Sequence, residues 1–236
     1  MKLLNLVVLF AVVSGGGMLR GQSCCTAPPA GIVDWWPGDF NANDFIGQHR
    51  GKIVGGVTFS PGEVGNAFTF DGTGQQVTFG SAGQFNSADF TVAFWMKTGS
   101  SNEQALLEKR ADCAAGSYWS IRVAGAINVE IDGASYLQIL GNTNVADGNL
   151  HHVAVVRQGT GLTLYVDSAV DGSGSSASTL KLNNNSSMVT GASVCDGVDG
   201  TMPLNGQLDE IQIFNVALSG SQVAAIYTAG AGGICK

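Results

Sequence analysis

The sequence predicts an all-β fold, an antiparallel two-sheet sandwich with one short C-terminal helix. Apolar and polar residues alternate over many short segments, such as FTVAFWMK (Phe90 to Lys97), and a period of two is typical of half-buried strands. Turn sequences such as FDGTG, ADGN and RQGTG separate these segments, and glycine makes up 34 of the 236 residues. From this spacing we expect roughly a dozen strands, and the length fits a single domain over residues 24–236.

Three segments show the alternation most clearly. The apolar face of each is expected to cover the core: Phe90, Val92, Phe94 and Met96 in FTVAFWMK, Ile127, Val129 and Ile131 in INVEID, and Leu162, Leu164 and Val166 in LTLYVD. The polar segment from Asp171 to Ser187 lacks this pattern. We expect it to form an exposed loop, either inert or at the rim of a ligand site.

The segment ALSGSQVAAIYTAG predicts the helix. Ser219 is a suitable N-cap, and Gln222 three residues later completes a capping box. Leu218 and Val223 are placed for a hydrophobic staple, and Gly230 can end the helix.

Residues 1–23 are typical of a signal peptide. A basic start (MK) precedes the apolar run LLNLVVLFAVV and a stretch of small residues, as in exported proteins. The run is too short to span a bilayer comfortably, so no transmembrane helix is expected. Acylation of Cys24 or Cys25 in a lipoprotein is the alternative. Either way the protein is expected to be secreted or associated with the cell envelope.

The charge balance is acidic. Removing Lys2 and Arg20 with the leader from the 11 basic residues would leave 9, against 18 acidic ones. Nucleic acid is therefore an unexpected partner, because phosphate binding needs a basic face. Acidic polysaccharides are disfavoured for the same reason, whereas a neutral glycan or surface polysaccharide is compatible with this charge.

The five cysteines are expected to form disulfides, because an exported chain meets an oxidising environment. Their spacing matches no zinc-binding pattern. We predict that one of Cys24 and Cys25 pairs with Cys235 and that Cys113 pairs with Cys195, which leaves one cysteine over. The first bond would place the two chain ends side by side.

Seven sequence blocks occur in an order that resembles the bacterial laminin-G-like (concanavalin A-like lectin/glucanase) domains of secreted proteins. They cover about residues 24–236 and read GIVDWWPGDFNANDFIG, GGVTFSPGEVGNAFTFDGTGQQV, FTVAFWMKT, VADGNLHHVAVV, LTLYVD, GQLDEIQIFNVALSGSQVAAIYTAG and GGIC. The resemblance implies a jelly roll of two antiparallel sheets, with strands from both chain ends in one sheet. It does not determine the activity, because this fold carries lectins, hydrolases and adhesion modules alike.

Two histidines and two acids could be catalytic residues. We interpret the histidines as structural and the acids as non-catalytic. His151 and His152 are adjacent in a strand and point to opposite faces, so they cannot jointly hold one small ligand. His152 is expected to be buried and hydrogen-bonded to backbone. Glu130 and Asp132 share a face, as in glycosidases of this fold, but Gly133, Ala134 and Ser135 follow where the acid/base residue should stand. A retaining mechanism needs that second carboxyl group. We therefore predict no enzymatic activity.

A structural Ca²⁺ ion is the cofactor that the sequence favours. Its ligands are oxygens of carboxylates, amides and backbone carbonyls, and GDFNAND offers four such side chains. The resemblance implies a calcium ion near the chain ends, approached by Asp209 of LDE. Asp209 and Glu210 should face opposite ways, so at most one of them can serve the site. The alternative is that Asn41 and Asp44 only close turns. The candidate ligands are Asp39, Asn41, Asn43, Asp44, Asp71 and Asp209.

Sugar binding requires an aromatic ring to stack on the pyranose and polar groups to bind its hydroxyls. Trp35 and Trp36 must point to opposite faces, so one of them belongs to the core. The candidate ligand-binding residues are Trp95, Tyr118, Trp119 and Tyr136, although any such ring can also fill the core of a sandwich. The expected function is a non-enzymatic carbohydrate-binding or adhesion module. The alternatives are a structural surface or matrix domain without a small ligand, and a glycoside hydrolase or lyase.

Overall fold

A computed structural model describes residues 25–86, 88–114, 116–177 and 182–236. The predicted signal peptide and Cys24 lie outside the described residues. The strands are β1 (Ile32–Trp36), β2 (Lys52–Val54), β3 (Thr58–Pro61), β4 (Asn66–Asp71), β5 (Gln76–Thr78), β6 (Phe90–Thr98), β7 (Gln104–Lys109), β8 (Tyr118–Ala124), β9 (Ala126–Asp132), β10 (Leu137–Leu140), β11 (His151–Gln158), β12 (Gly161–Val166), β13 (Ala169–Ser175), β14 (Val189–Thr190) and β15 (Asn205–Phe214). One helix, α1 (Gly220–Ala229), and a 3₁₀ turn (Gly230–Gly232) follow.

The strands form two antiparallel sheets, as the sequence predicts. The eight-stranded sheet has the order β13-β12-β11-β6-β15-β4-β3, with β1 also paired to β15. The seven-stranded sheet has the order β10-β9-β8-β7-β14-β5-β2. Strands distant in sequence are neighbours in both sheets, which is the arrangement of a jelly roll.

The main core lies between the two sheets and consists of the predicted alternating residues. The buried cluster contains the predicted apolar faces of β6, β9 and β12: Phe90, Val92, Phe94, Met96, Ile127, Val129, Ile131, Leu162, Leu164 and Val166. Trp36 belongs to the same cluster, whereas Trp35 does not. The two tryptophans therefore point to opposite sides of β1, as alternation requires.

A second, smaller core fills the outer side of the eight-stranded sheet, beneath α1. It brings together Trp35, Ala93 and Phe214 from the sheet with Val223 and Ile226 from the helix. The central strands of this sheet are thus buried on both faces, and this explains why nearly every residue of β6 is buried.

Helix α1 begins and ends as predicted. The Ser219 side chain accepts from the backbone of Gln222, whose own side chain accepts from the N-cap backbone, and together these bonds form the capping box. Leu218 and Val223 are both buried, and Gly230 follows the last helical residue with φ 48°. In the described part of the chain, the structure contains no helix with the length and apolar character that crossing a membrane requires.

The two chain ends meet. Strand β1 pairs with β15, and Thr26 forms a parallel bridge with Ile234. Disulfides join Cys25 to Cys235 and Cys113 to Cys195, which is the pairing predicted from the sequence. The sequence left open whether Cys24 or Cys25 pairs with Cys235, and the structure shows that it is Cys25.

One predicted loop is partly a strand. Asp171–Ser175 belongs to β13, which extends the sheet along the free edge of β12. The prediction of a loop over this part was wrong, because edge pairing uses only backbone groups and therefore needs no alternation of side chains. Leu182, in the same polar segment, is buried in the main core.

The two histidines have separate surroundings. His152 is buried and contacts the rings of Trp95 and Tyr227. Its Nδ1 finds no hydrogen-bond partner among the described residues, so the expected backbone bond is not made at that atom. His151 lies between Asp167, 2.8 Å from Nδ1, and Asp147, 3.1 Å from Nε2. Neighbouring side chains thus hold both imidazoles: His152 packs against aromatic rings, and His151 contacts two carboxylates.

Removing the disulfide between the chain ends is expected to destabilise the fold. Cys235→Ser should lower the free energy of unfolding by about 2–5 kcal/mol, because the cross-link restricts the unfolded chain. The measurement is denaturant unfolding under non-reducing conditions. Cys24→Ser is the matched control and should leave stability unchanged. Peptide mapping that finds Cys24 bonded to Cys235 would contradict the assignment.

Acidification should destabilise the protein through His152. Burial lowers the pKa of its imidazole from 6.5 to about 4. The imidazole therefore contributes stability above pH 6.5, and that contribution is lost as the pH falls to 4. The difference in unfolding free energy between wild type and His152→Gln should shrink by about 3 kcal/mol over this range.

His151→Gln provides the control for this titration. Burial opposes protonation of His151, but hydrogen bonds to Asp167 and Asp147 outweigh it and raise the pKa of the imidazole. The difference between wild type and this variant should therefore change with pH in the opposite direction. A pH-independent difference for His152→Gln would refute the burial argument.

Candidate functional site

The outer face of the seven-stranded sheet is polar over strands β8, β9 and β10. Ser120, Glu130 and Gln138 are cross-strand neighbours in one row, and Arg122 and Asn128 form the next row. Alternation produces this face, because the intervening residues of β8 and β9 fill the main core. We call the set Tyr118, Ser120, Arg122, Asn128, Glu130, Asp132, Tyr136 and Gln138 the sheet-face platform.

Glu130 is the centre of the platform. Its Oε1 accepts from the Tyr136 hydroxyl at 3.2 Å and from Gln138 Nε2 at 3.3 Å. Its Oε2 accepts from the Tyr118 hydroxyl at 3.5 Å. Burial, followed by the Glu130 charge, raises the pKa of Tyr136 to about 12, so this phenol remains a hydrogen-bond donor. The carboxylate thus holds an aromatic side chain from the β9–β10 turn against the sheet.

Asp132 has a different role from Glu130. Its Oδ2 accepts from the amide of Gly116 at 3.0 Å, and its Oδ1 accepts from the amide of Gly133 at 2.9 Å. In all these bonds the oxygens of Glu130 and Asp132 are acceptors. Such oxygens can bind the hydroxyl groups of a ligand, whereas cleavage of a glycoside needs a carboxyl group that donates a proton.

The β7 side of the same sheet is covered by the loop that contains Cys195. Ser193 donates to Glu108 at 2.9 Å, and burial raises the pKa of that glutamate. Arg122 bonds Asp199 of this loop at 3.1 Å and Glu103 at 2.7 Å. The cover leaves the β9–β10 end of the platform open.

The structure separates the four candidate aromatic residues. Trp119 lies in the main core and donates to the carbonyl of Gly83. Trp95 is 6% exposed and stacks on Tyr227 of α1. Tyr118 is buried beneath the Arg110 guanidinium, 3.9 Å from the ring centroid. Tyr136 is 53% exposed, which makes it the one of the four that a ligand can reach.

Three candidate calcium ligands close turns instead of converging. Asp44 accepts from the amides of Trp35, Ile46, Gly47 and His49. Asn41 accepts from the amide of Asn43, and Asp71 accepts from both the amide and the hydroxyl of Thr73. These contacts correspond to the Asx-turn interpretation of those residues.

Asp39 and Asp209 lie against one turn, Gly62 to Gly65. A Cβ at Gly62 would collide with the Asp209 carboxylate, and a Cβ at Gly65 would collide with Asp39. Asp209 is fully buried and accepts from the amide of Val64 at 2.9 Å. Its Oδ1 has no hydrogen-bond partner among the described residues. Burial, together with the neighbouring Glu210 charge, raises the pKa of Asp209 to about 8.

Glu210 is a functional candidate that alternation misses. Leu208 and Ile211 both lie in the main core, so the two acids between them occupy the same outer side of β15. The prediction that Asp209 and Glu210 face opposite ways was wrong, because a bulge interrupts the strand here and Glu210 adopts φ 51°. Bulges reverse the expected direction of a side chain, and no signal in LDE reveals one.

Lys236 supplies positive charge to this region. Its Nζ lies 2.5 Å from Asp39 Oδ2 and 3.7 Å from Glu210 Oε1. The other Glu210 oxygen accepts from the Trp35 indole at 2.7 Å. Burial still raises the pKa of Glu210 to about 7. The chain ends therefore carry an acidic cluster of Asp39, Asp209 and Glu210, in which Asp209 and Glu210 are buried and Asp39 is partly exposed. One lysine neutralises this cluster in part.

Comparison with known families finds a match over much of the chain. A laminin-G-like model of the concanavalin A-like lectin/glucanases superfamily matches residues 71–224. No curated protein matches the sequence.

Solved structures with the same fold include several binding domains. The binding domain of Paraclostridial Mosquitocidal Protein 1 superposes with a TM-score of 0.69 at 16% identity, covering 84% of this chain and 52% of that one. The binding domain of botulinum neurotoxin DC in complex with SialylT gives 0.67 at 12% identity, covering 85% and 52%. The chain thus spans about half the length of these two relatives.

A third structure matches over nearly its whole length. Domain 4 of AbnA, a GH43 extracellular arabinanase from Geobacillus stearothermophilus, was solved in complex with arabinotriose. It superposes with a TM-score of 0.67 at 16% identity, covering 82% of this chain and 97% of that one. At such identities the likeness establishes the fold.

Proposed function

We propose that this chain, which belongs to the concanavalin A-like lectin/glucanases superfamily, is an extracellular carbohydrate-binding module. Its glycan would bind on the sheet-face platform at the end formed by β9 and β10. The observation that carries this proposal is the exposed ring of Tyr136 beside an open array of hydrogen-bonding groups.

The chemistry of the platform suits a sugar. A pyranose or furanose presents a C–H face that packs on an aromatic ring and hydroxyl groups that need both donors and acceptors. Tyr136 offers the ring, Glu130 the acceptor oxygens, and Gln138 an exposed amide that donates to the buried Asn128 at 3.1 Å. Because these side chains already bond one another, little conformational entropy is lost on binding.

The charge balance supports a neutral glycan, and the solved relatives support a glycan as the class of ligand. The acidic sequence disfavours nucleic acid and polyanionic saccharides. Two relatives of the same fold were solved with SialylT and with arabinotriose. Those ligands belong to those proteins, and here they support only the class of ligand.

The platform is proposed to bind without cleaving. Glu130 and Asp132 are engaged as acceptors by Tyr136, Gln138 and two backbone amides. No third acid follows them in the turn Gly133, Ala134 and Ser135. A hydrolase or lyase that uses these acids is the alternative, as is a surface or matrix domain without a small ligand. The two disulfides support an extracellular location, where the module could also serve adhesion.

We also propose a structural calcium ion at the acidic cluster of the chain ends. Asp209 would provide its unpartnered Oδ1, and Asp39 lies against the same turn, Gly62 to Gly65. A buried carboxylate oxygen without a partner carries a desolvation cost that a cation would offset. The ion would tie β15 to the β3–β4 turn.

Replacing Tyr136 should weaken glycan binding. The wild-type chain is screened against neutral polysaccharides, arabinan included, and the affinity for a hit is measured by calorimetry. Loss of a central ring commonly costs more than 1 kcal/mol, so Tyr136→Ala should raise Kd about 10-fold. Phe40→Ala is the control, since Phe40 is 71% exposed outside the platform.

The outcomes separate the candidate functions. Loss of affinity in Phe40→Ala but not in Tyr136→Ala would move the site away from the platform. Failure to bind any polysaccharide would favour the structural-domain alternative. Release of reducing or unsaturated ends, abolished by Glu130→Gln, would establish the hydrolase or lyase in its place.

Calcium removal should destabilise the fold. At saturating Ca²⁺ the melting temperature of the wild type should exceed that in EDTA by about 5 °C. Asp209→Asn should abolish this difference, because it removes the carboxylate but keeps the shape. Asp71→Asn is the matched control and should retain it. Identical melting curves of the wild type in Ca²⁺ and in EDTA would refute the site.

A further inference from the structure

A cleft with a volume of about 630 Å³ lies away from the platform. Three of its lining residues come from distant parts of the sequence. Asp34 lies in β1, His49 in the loop before β2, and Ser81 in the turn after β5. None of the seven sequence blocks that resemble the family predicts that these three side chains lie in contact.

The three side chains form a hydrogen-bonded relay. His49 Nδ1 lies 2.6 Å from Asp34 Oδ1, and His49 Nε2 lies 3.2 Å from Ser81 Oγ. Asp34 is 4% exposed, whereas Ser81 is exposed to solvent. A buried acid, an imidazole and an accessible hydroxyl in this order are the parts of a serine-nucleophile triad, which is recognised by geometry and not by sequence position.

The imidazole is held in place by its own backbone. The His49 amide donates to Asp44 Oδ2 at 3.1 Å, and the His49 carbonyl accepts from the Trp36 indole at 2.8 Å. Gly47 permits this packing. A Cβ there would lie 2.5 Å from Asp34 Oδ1, from Asp44 Oδ2 and from the carbonyl oxygen of Val33. The loop is therefore built around the acid and the histidine.

The serine occupies a sharp turn. Gly80 and Gly83, with φ 56° and 70°, bracket Ser81 and Ala82. A Cβ at Gly83 would lie 2.7 Å from the Trp119 ring, so the turn is pressed against the core while Ser81 points outward. The nucleophilic serine of α/β-hydrolases also stands on a sharp turn after a strand, but there a helix follows, whereas here the next element is β6.

We propose that Ser81, His49 and Asp34 form a hydrolytic site for short-chain acyl esters. This site is independent of the sheet-face platform and of the proposed glycan binding. The proposed absence of cleavage at the platform concerns Glu130 and Asp132 and is unaffected.

The reaction balances with water as the co-reactant. Ser81 Oγ attacks the ester carbonyl carbon while His49 Nε2 takes the hydroxyl proton, and Asp34 stabilises the imidazolium through Nδ1. Collapse of the tetrahedral intermediate breaks the bond to the alkoxy oxygen, which leaves as the alcohol with the proton from His49. Water, deprotonated by His49, then attacks the acyl-serine, releases the carboxylic acid and returns the proton to Ser81.

The cleft lining fits this substrate class. Ala82, Phe85 and Ile213 form an apolar wall for a short acyl chain. The amide side chains of Gln48 and Asn215 line the same cleft, and such groups can donate to the carbonyl oxygen as negative charge develops on it. The open shape leaves room for a polar alcohol portion.

A metal site is the competing interpretation of the same residues. Ligand atoms of Asp34, Asp44 and His49 lie within 4.8 Å of one another. Asp44, however, already accepts four backbone amides, which occupy most of the acceptor capacity of a carboxylate. Coordination would have to displace bonds that shape the loop. The hydroxyl–imidazole–carboxylate order therefore favours the hydrolytic site.

The experiment uses the full chain, a fluorophosphonate probe and p-nitrophenyl acetate. The probe should modify Ser81, identified by peptide mass mapping. Ester hydrolysis should fall at least about 100-fold in Ser81→Ala and in His49→Gln, since the base contributes about 10²–10⁴-fold. Ser81 is exposed, so Ser81→Ala should fold, and an unchanged melting temperature verifies this.

His151→Gln is the matched control for background hydrolysis by an imidazole outside the cleft. His151 contacts two acids but lacks a serine partner in its hydrogen bonds, so its loss should leave labelling and hydrolysis unchanged. Absence of a Ser81 adduct, or wild-type hydrolysis in Ser81→Ala, would overturn the proposal. Binding of Zn²⁺ that is lost in Asp34→Asn, without any adduct, would replace it with the metal site.

Discussion

The structure depends on the antiparallel pairing of β15 with β6 on one side and with β4 and β1 on the other. This ten-residue strand joins the end of the domain to its beginning, and its inward residues Leu208, Ile211 and Ile213 lie in the main core. The Cys25–Cys235 bond closes the same junction covalently. Because the pairings are non-local, neither end of the chain can complete the sandwich without the other.

The two sheets have different roles in the molecule. The eight-stranded sheet is covered on its outer side by α1 and the chain ends, so it contributes packing. The seven-stranded sheet has one face in the core and one that is partly open, so it can present Glu130, Tyr136 and Gln138 to a ligand. An antiparallel sheet with one solvated face is suited to this, since alternation delivers polar side chains without weakening the core.

Among the described residues, buried polar atoms without a hydrogen-bond partner are concentrated at the covered sheet. Asp209 Oδ1 and His152 Nδ1 lack hydrogen-bond partners among the described residues, and Glu210 stands in a left-handed conformation. Each unsatisfied buried group costs about 1–3 kcal/mol. The surrounding packing of Trp35, Trp95 and α1 must offset these costs. Natural chains tend to retain such costs where a site requires them, and this supports a site at the acidic cluster of the chain ends.

The sequence by itself determined the features that arise from local patterns: the core faces of β6, β9 and β12, the capping box at Ser219, and the separation of His151 from His152. Alternation and capping depend on neighbours within a few residues, so they can be predicted without coordinates. Only the tertiary structure decided that Trp95 and Trp119 are buried while Tyr136 is exposed, and that a bulge turns Asp209 and Glu210 to one side. It alone brought Ser81 to His49 and Asp34. Side-chain exposure, bulges and contacts between residues distant in sequence all depend on which strands become neighbours. Strand pairing is a property of the whole chain.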